Sequence, residues 1–112
     1  MDFSYSSSRL RKSLEDAKSL QRDYGDRAKP LMRRLAVLKQ ARHLADVPRE
    51  PPDRCHQLMG KRAGRFAVVI KDNWRLVFRP DHDPIPVKVD GGVDLAAVTA
   101  ICIEEIVDYH GE

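Results

Sequence analysis

The sequence predicts an α+β fold: two N-terminal helices packed on a small antiparallel sheet of three to four strands. Three observations carry this. Apolar residues recur at helical spacing through the first 45 positions, two β-rich runs (RFAVVI and WRLVF) flank a short KDN turn, and Val98 to Val107 alternates near the end. A chain of 112 residues fits one domain, spanning 1–112, with a modest core.

Taken in order, Phe3 and Tyr5 alternate with polar neighbours as in a short opening strand, and Ser6, Ser7 and Ser8 offer helix caps. From Arg9 to Tyr24, the spacing of Leu10, Leu14, Ala17, Leu20 and Tyr24 predicts a helix that Gly25 ends. Asp26 is placed to cap a second helix with Pro30 near its start. Leu31, Leu35 and Leu38 form its apolar stripe, and Ala28, Ala41 and Leu44 extend it. Arg27, Arg33, Arg34, Lys39 and Arg42 lie between the stripes and read as a solvated or nucleic-acid-facing surface; His43 falls on the same helix without a partner.

DVPREPPDR breaks the pattern with three prolines. Arg65 to Ile70 and Trp74 to Phe78 then read as an antiparallel hairpin, and RPDHDPIPVKVDGG as an irregular excursion. DLAAV suggests one helical turn capped by Asp94. In the last run, Thr99, Ile101, Ile103 and Val107 share one face, with Ala100, Cys102, Glu104 and Ile106 on the other.

Charge is unevenly laid out. Residues 1–54 carry 13 Lys/Arg against 8 Asp/Glu, residues 55–80 carry 6 against 1, and residues 81–112 carry 1 against 8. The concentrated basic middle suits phosphate neutralisation and points toward a nucleic-acid partner. The N-terminus lacks the basic-then-apolar order of a signal peptide, and no apolar run reaches membrane-spanning length. Cys55 and Cys102 show no pairing logic, so reduced thiols and a cytoplasmic location are expected.

The chemistry concentrates in two places. In CHQLMGKRAGRF, His56 precedes a loop holding Lys61 and Arg62 between Gly60 and Gly64, with Arg65 beyond. At the other end the apolar strand runs out on Asp108, Tyr109 and His110. Cutting RNA without a metal needs a base for the 2′-hydroxyl, an acid for the leaving oxygen and cations over the phosphate. His56, Asp108, Tyr109 and His110 are candidate proton handlers. Arg75, Lys61, Arg62 and Lys71 are candidate phosphate stabilisers, with Arg65 and Arg79 on the same hairpin. Tyr109 also offers a face for base stacking. Asp81, His82 and Asp83 resemble a hard-metal loop, but Pro80 and Pro84 favour a solvated turn, and Cys55-His56 lacks further zinc ligands. No metal or cofactor is expected.

These stretches, CHQLMGKRAGRFAVVIKDNWRLVF and the closing IEEIVDYH, resemble the HigB branch of the RelE/ParE toxin superfamily. In that branch an H-x-L-K-G-x-R-x-G stretch precedes a hairpin with a W-R or Y-R pair, and the chain closes on D-Y-H. The resemblance spans about residues 50–110; the helical half matches in arrangement alone. It implies a RelE-like fold and the toxin of a type II toxin-antitoxin system. Such a toxin is a metal-independent mRNA endoribonuclease that enters the ribosomal A site and is held inactive by a helix-turn-helix antitoxin encoded beside it. Carried over by motif, the active site falls on His56, Arg75, Asp108, Tyr109 and His110, and Lys71 stands where the family often has arginine. Met59 departs from the family's lysine, with Lys61 two residues on. Two further readings stand beside this one: a ParE-like inhibitor of DNA gyrase, and a weakened toxin that keeps only antitoxin binding.

Overall fold

Asp16 divides the predicted Arg9–Tyr24 helix in two in the computed structural model, which describes residues 1–109. Helix α1 spans Ser8–Glu15, and its cap is Ser7, whose hydroxyl accepts the Leu10 N–H. Helix α2 spans Ala17–Tyr24. Asp16 takes an extended backbone between them, and its carboxylate accepts from the Ser19 N–H at 2.8 Å and the Ser19 hydroxyl at 3.0 Å. A short acidic side chain competes for backbone donors in this way, which is why it starts helices better than it continues them. These bonds, the Ser19 backbone N–H first, hold the Asp16 carboxyl below the usual carboxylate range. Gly25 ends α2 as expected, at φ +56°, a conformation that costs glycine little.

Helix α3 spans Ala28–Gln40 and tolerates Pro30 in its first turn, where no intrahelical donor is required. Asp26 does not cap it. A 3-10 turn at Gly25–Arg27 leads in, and the Asp26 carboxylate instead binds Lys71 Nζ at 2.9 Å. Leu44 and His43 also fall outside the helix: Leu44 buries from a separate 3-10 turn, Leu44–Asp46, and His43 precedes it. Arg34 leaves the predicted solvated face altogether. It is buried, donates from Nε to the Val69 carbonyl at 2.8 Å, and lies 3.5 Å from the buried Asp53 carboxylate.

The sheet has five strands, not three or four: β1 Asp2–Tyr5, β2 His56–Gln57, β3 Phe66–Lys71, β4 Trp74–Pro80 and β5 Ala100–Asp108. Their order is β1-β5-β4-β3-β2, and the sheet is mixed because β1 lies parallel to β5. A parallel neighbour requires a long crossover, here the helices and the rest of the sheet. Strand β2 has two residues, too few for alternation to show. The β3–β4 hairpin turns through Asp72 and Asn73, with Asp72 at φ +53°, a region that aspartate tolerates better than most side chains.

Helices cover one face of the sheet. Leu14, Leu20, Ala28, Leu31 and Leu38 pack there against Phe66, Val68, Ile70, Leu76, Phe78, Ile101 and Ile103. The opposite face carries a smaller cluster, Leu58, Ala67, Val77 and Tyr109, flanked by Val107.

Two bulges decide which side chains reach which face. Val69 pairs with Arg75 but Lys71 with Trp74, so Ile70 is an extra residue in β3. Phe78 pairs with Ile103 but Val77 with Glu105, so Glu104 is extra in β5. An extra residue reverses the alternation beyond it. Val107 therefore leaves the face of Ile101 and Ile103, and Ile106 joins it, the reverse of the simple alternation.

The excursion after β4 is irregular, as expected, with a single bridge between Val87 and Val93. Leu95–Ala97 forms a 3-10 turn for which the Asp94 side chain provides no cap. His82 Nε2 accepts the N–H groups of Thr99 (3.1 Å) and Ala100 (3.3 Å), which occupies the lone pair a metal would need. Among the described residues, no helix is long and apolar enough to cross a membrane.

Candidate functional site

Residues directly opposite one another in a sheet share a face, so the register alone locates most of the candidates. His56 stands opposite Ala67, and Ala67 opposite Val77. Arg75 stands opposite Val69 and Val107, and Arg79 opposite Cys102. All lie on the sheet face away from the helices, where Tyr109 completes the cluster with Leu58, Ala67 and Val77. The sequence-distant His56, Arg75, Arg79 and Tyr109 thus share one sheet face, with Arg62 over the Tyr109 ring.

His56 is exposed on the edge strand. Its Nδ1 lies 2.7 Å from the Arg54 carbonyl, which can only accept, so this nitrogen carries the proton in the neutral ring. The exposed Nε2 then holds the lone pair. His56 also lines a cavity of about 680 Å³ at the sheet edge, whose other walls include Arg49 and Lys88 and, from the helical side and the excursion, Leu44, Phe66 and Leu95. Arg75 is half-buried, and its Nη1 donates to the carbonyls of Asp72 (2.7 Å) and Trp74 (3.2 Å), which fixes the guanidinium beside the hairpin turn.

Arg62, Arg65 and Arg79 meet carboxylates of the β5 bulge. Arg65 Nε donates to Glu104 Oε1, and Arg79 Nε lies 3.4 Å from Glu104 Oε2. Arg62 Nη2 lies 3.3 Å from Glu105 Oε1, and its guanidinium carbon sits 5.1 Å from the centre of the Tyr109 ring. Ser6, Lys61, Arg62, Arg65, Glu104 and Glu105 line a second cavity of about 450 Å³. Sequence reading missed the two glutamates as members of the site. Their signal was present: two adjacent carboxylates inside an apolar alternating strand cannot both face solvent without a bulge.

Two candidates, Lys71 and Asp108, do not join this surface, and a third, Tyr109, joins it without an open face. The Ile70 bulge sets Lys71 opposite Trp74, on the helical side, where it pairs with Asp26; the lysine's ammonium is held above its ordinary range by that hydrogen bond. Asp108 also pairs in register with Trp74, whose ring packs against the helical core under the Arg27 guanidinium. It is therefore turned away from Val107 and Tyr109. Tyr109 is in place but 9% exposed, with Arg62 over its ring, so the stacking face expected for a base is already taken. His110 lies outside the described residues.

No family model matches the sequence, and no curated protein matches it. Among solved structures, the chain is similar in fold to a YoeB/ParE toxin from Agrobacterium tumefaciens. The TM-score is 0.57 and the identity 14%, over 98% of this chain and 100% of that one.

Proposed function

We propose that this chain is the toxin of a toxin-antitoxin pair and a metal-independent endoribonuclease that cuts mRNA in the ribosomal A site. The observation that carries the reading is the gathering of His56, Arg75 and the Arg62/Arg65/Arg79 group on one helix-free sheet face. The fold shared with a YoeB/ParE toxin supports it independently.

In this reading the 2′-oxygen of the nucleotide before the cut attacks the adjacent phosphorus. His56 Nε2 accepts the 2′-hydroxyl proton, Arg75 offsets the charge growing on the phosphoryl oxygens, and the P–O5′ bond breaks. A second proton donor supplies the leaving 5′-oxygen, a role assigned to His110. The products are a 2′,3′-cyclic phosphate and a 5′-hydroxyl, so no water or metal enters the step. His56 is preferred to Asp108 as base because Asp108 pairs with Trp74 toward the helices. The partner is a helix-turn-helix antitoxin encoded beside the toxin, and the chain acts in the cytoplasm.

Mapping 5′ ends of cellular mRNA after a short pulse of expression tests this. New ends inside reading frames are expected. DNA damage with intact mRNA would instead indicate a gyrase inhibitor, and neither effect a chain that only binds its antitoxin.

Met59 gives a finer test. It is 72% exposed at the mouth of the basic turn, so lysine there disturbs no packing. Met59→Lys is expected to raise the single-turnover cleavage rate about tenfold, the worth of one charge-assisted contact of roughly 1.4 kcal/mol. An unchanged rate would mean that Lys61 or Arg62 already fills the role.

A further inference from the structure

The β5 bulge delivers a carboxylate to the groove that strict alternation would have withheld. Glu104 shares the face of Cys102 by alternation and lies between Arg65 and Arg79; Glu105, which alternation would have turned toward the helices, follows on the same side and holds Arg62. The Glu104 side chain is the more enclosed of the two, 17% exposed against 40% for Glu105. Asp81 adds a weaker contact to Arg79 at 3.6 Å. A groove rich in arginine is therefore largely neutralised from within, while its guanidinium groups are held in fixed positions.

We propose that Glu104 and Glu105 are positioning residues that set the anion selectivity of this groove, standing in for phosphates until a polyanion displaces them. The proposal rests on the reading of this face as the RNA surface. Surface ion pairs of this kind are individually weak, so neither carboxylate blocks a strong competitor. But each is tethered to the chain and returns to its arginine as an intramolecular partner, at an effective concentration that a free anion must exceed. A small anion gains one contact and loses that competition. A nucleic-acid strand brings several phosphates at once and can take Arg62, Arg65 and Arg79 together. Arg62 remains over the Tyr109 ring when Glu105 leaves, so the released guanidinium stays aimed into the groove.

The test titrates inorganic pyrophosphate into the full chain, followed at the arginine Nε–H resonances, for wild type, Glu104→Gln and Glu105→Gln. The same proteins are then titrated with a single-stranded RNA oligonucleotide at several salt concentrations. Glu104→Gln is expected to tighten pyrophosphate binding about tenfold with shifts at Arg65 and Arg79, and Glu105→Gln to do so with shifts at Arg62. Glu104→Asp, which keeps the charge, should restore most of the wild-type weakness. RNA affinity should rise in the Gln variants with an unchanged salt slope, because the strand meets the same three arginines in every protein. Unchanged pyrophosphate affinity in both Gln variants overturns the proposal; Glu105→Gln, at the more exposed position, carries the test if Glu104→Gln does not fold. Tighter pyrophosphate binding with no RNA binding in any protein upholds the role of the glutamates and overturns the RNA reading.

Discussion

Replacing His56 with alanine is expected to lower ribosome-dependent mRNA cleavage by about 10²- to 10⁴-fold, the usual worth of a positioned general base. The melting temperature should stay within about 1 °C of wild type. The two effects separate because of where the residue sits. His56 is exposed on a two-residue edge strand, and its one side-chain hydrogen bond, from Nδ1 to the Arg54 carbonyl, leaves an acceptor that water can satisfy. Losing the ring removes the Nε2 lone pair from the groove and little from the core. Arg75→Ala is the companion measurement: its guanidinium bridges two hairpin carbonyls, so some loss of stability accompanies the loss of rate. Full cleavage by His56→Ala, with the protein folded, would move the base to another group and detach the edge strand from the chemistry.

Much of this arrangement is legible in the residues, and what is not legible has a common cause. The β3–β4 hairpin announces itself through β-branched and aromatic runs around a polar turn, and α3 through its leucine spacing. Both are local patterns. Register is not local. Nothing in RFAVVIK marks Ile70 as an inserted residue, yet that insertion turns Lys71 from the groove to Asp26. The Glu104 insertion likewise exchanges the faces of Ile106 and Val107 and turns Asp108 toward Trp74. The Asp-Tyr-His ending reads as one unit in sequence, but successive residues of a strand point to opposite sides. The Glu104 insertion sets Asp108 on the side of Trp74, and Tyr109, which follows directly on β5, lies in the cluster of the opposite face. The break at Asp16 is of another kind: the leucine period runs through it, and the competing side-chain bonds to Ser19 decide the matter.

The largest stability effect belongs to the buried partner of Arg34, an arginine whose sequence context reads as a solvated or nucleic-acid-facing surface. Asp53→Ala is expected to cost about 3–5 kcal/mol, because it leaves the Arg34 guanidinium buried without its counter-charge. For a chain of this size that corresponds to a fall in melting temperature of roughly 12–40 °C. The separation of 3.5 Å satisfies an ion pair, yet Asp53 Oδ1 makes no hydrogen bond of good geometry among the described residues, so it depends on the charge of Arg34. The pair is a poor source of net stability but costly to break from one side. The double change Arg34→Met/Asp53→Leu should therefore recover most of the loss, which thermal and denaturant melts of the two single variants and the double variant would measure. A single variant within 1 kcal/mol of wild type would show that water reaches the pair. The same contact also links stability to the groove. Asp53 accepts the Val69 N–H through its carbonyl at 2.8 Å, and Arg34 donates to the Val69 carbonyl, so helix α3, the proline-rich loop and β3 meet at one residue. His56 follows Asp53 by three positions. Releasing that loop should lower the cleavage rate even at temperatures where Asp53→Ala remains folded, and the double variant, which refills the volume without the anchor, should regain stability more fully than rate.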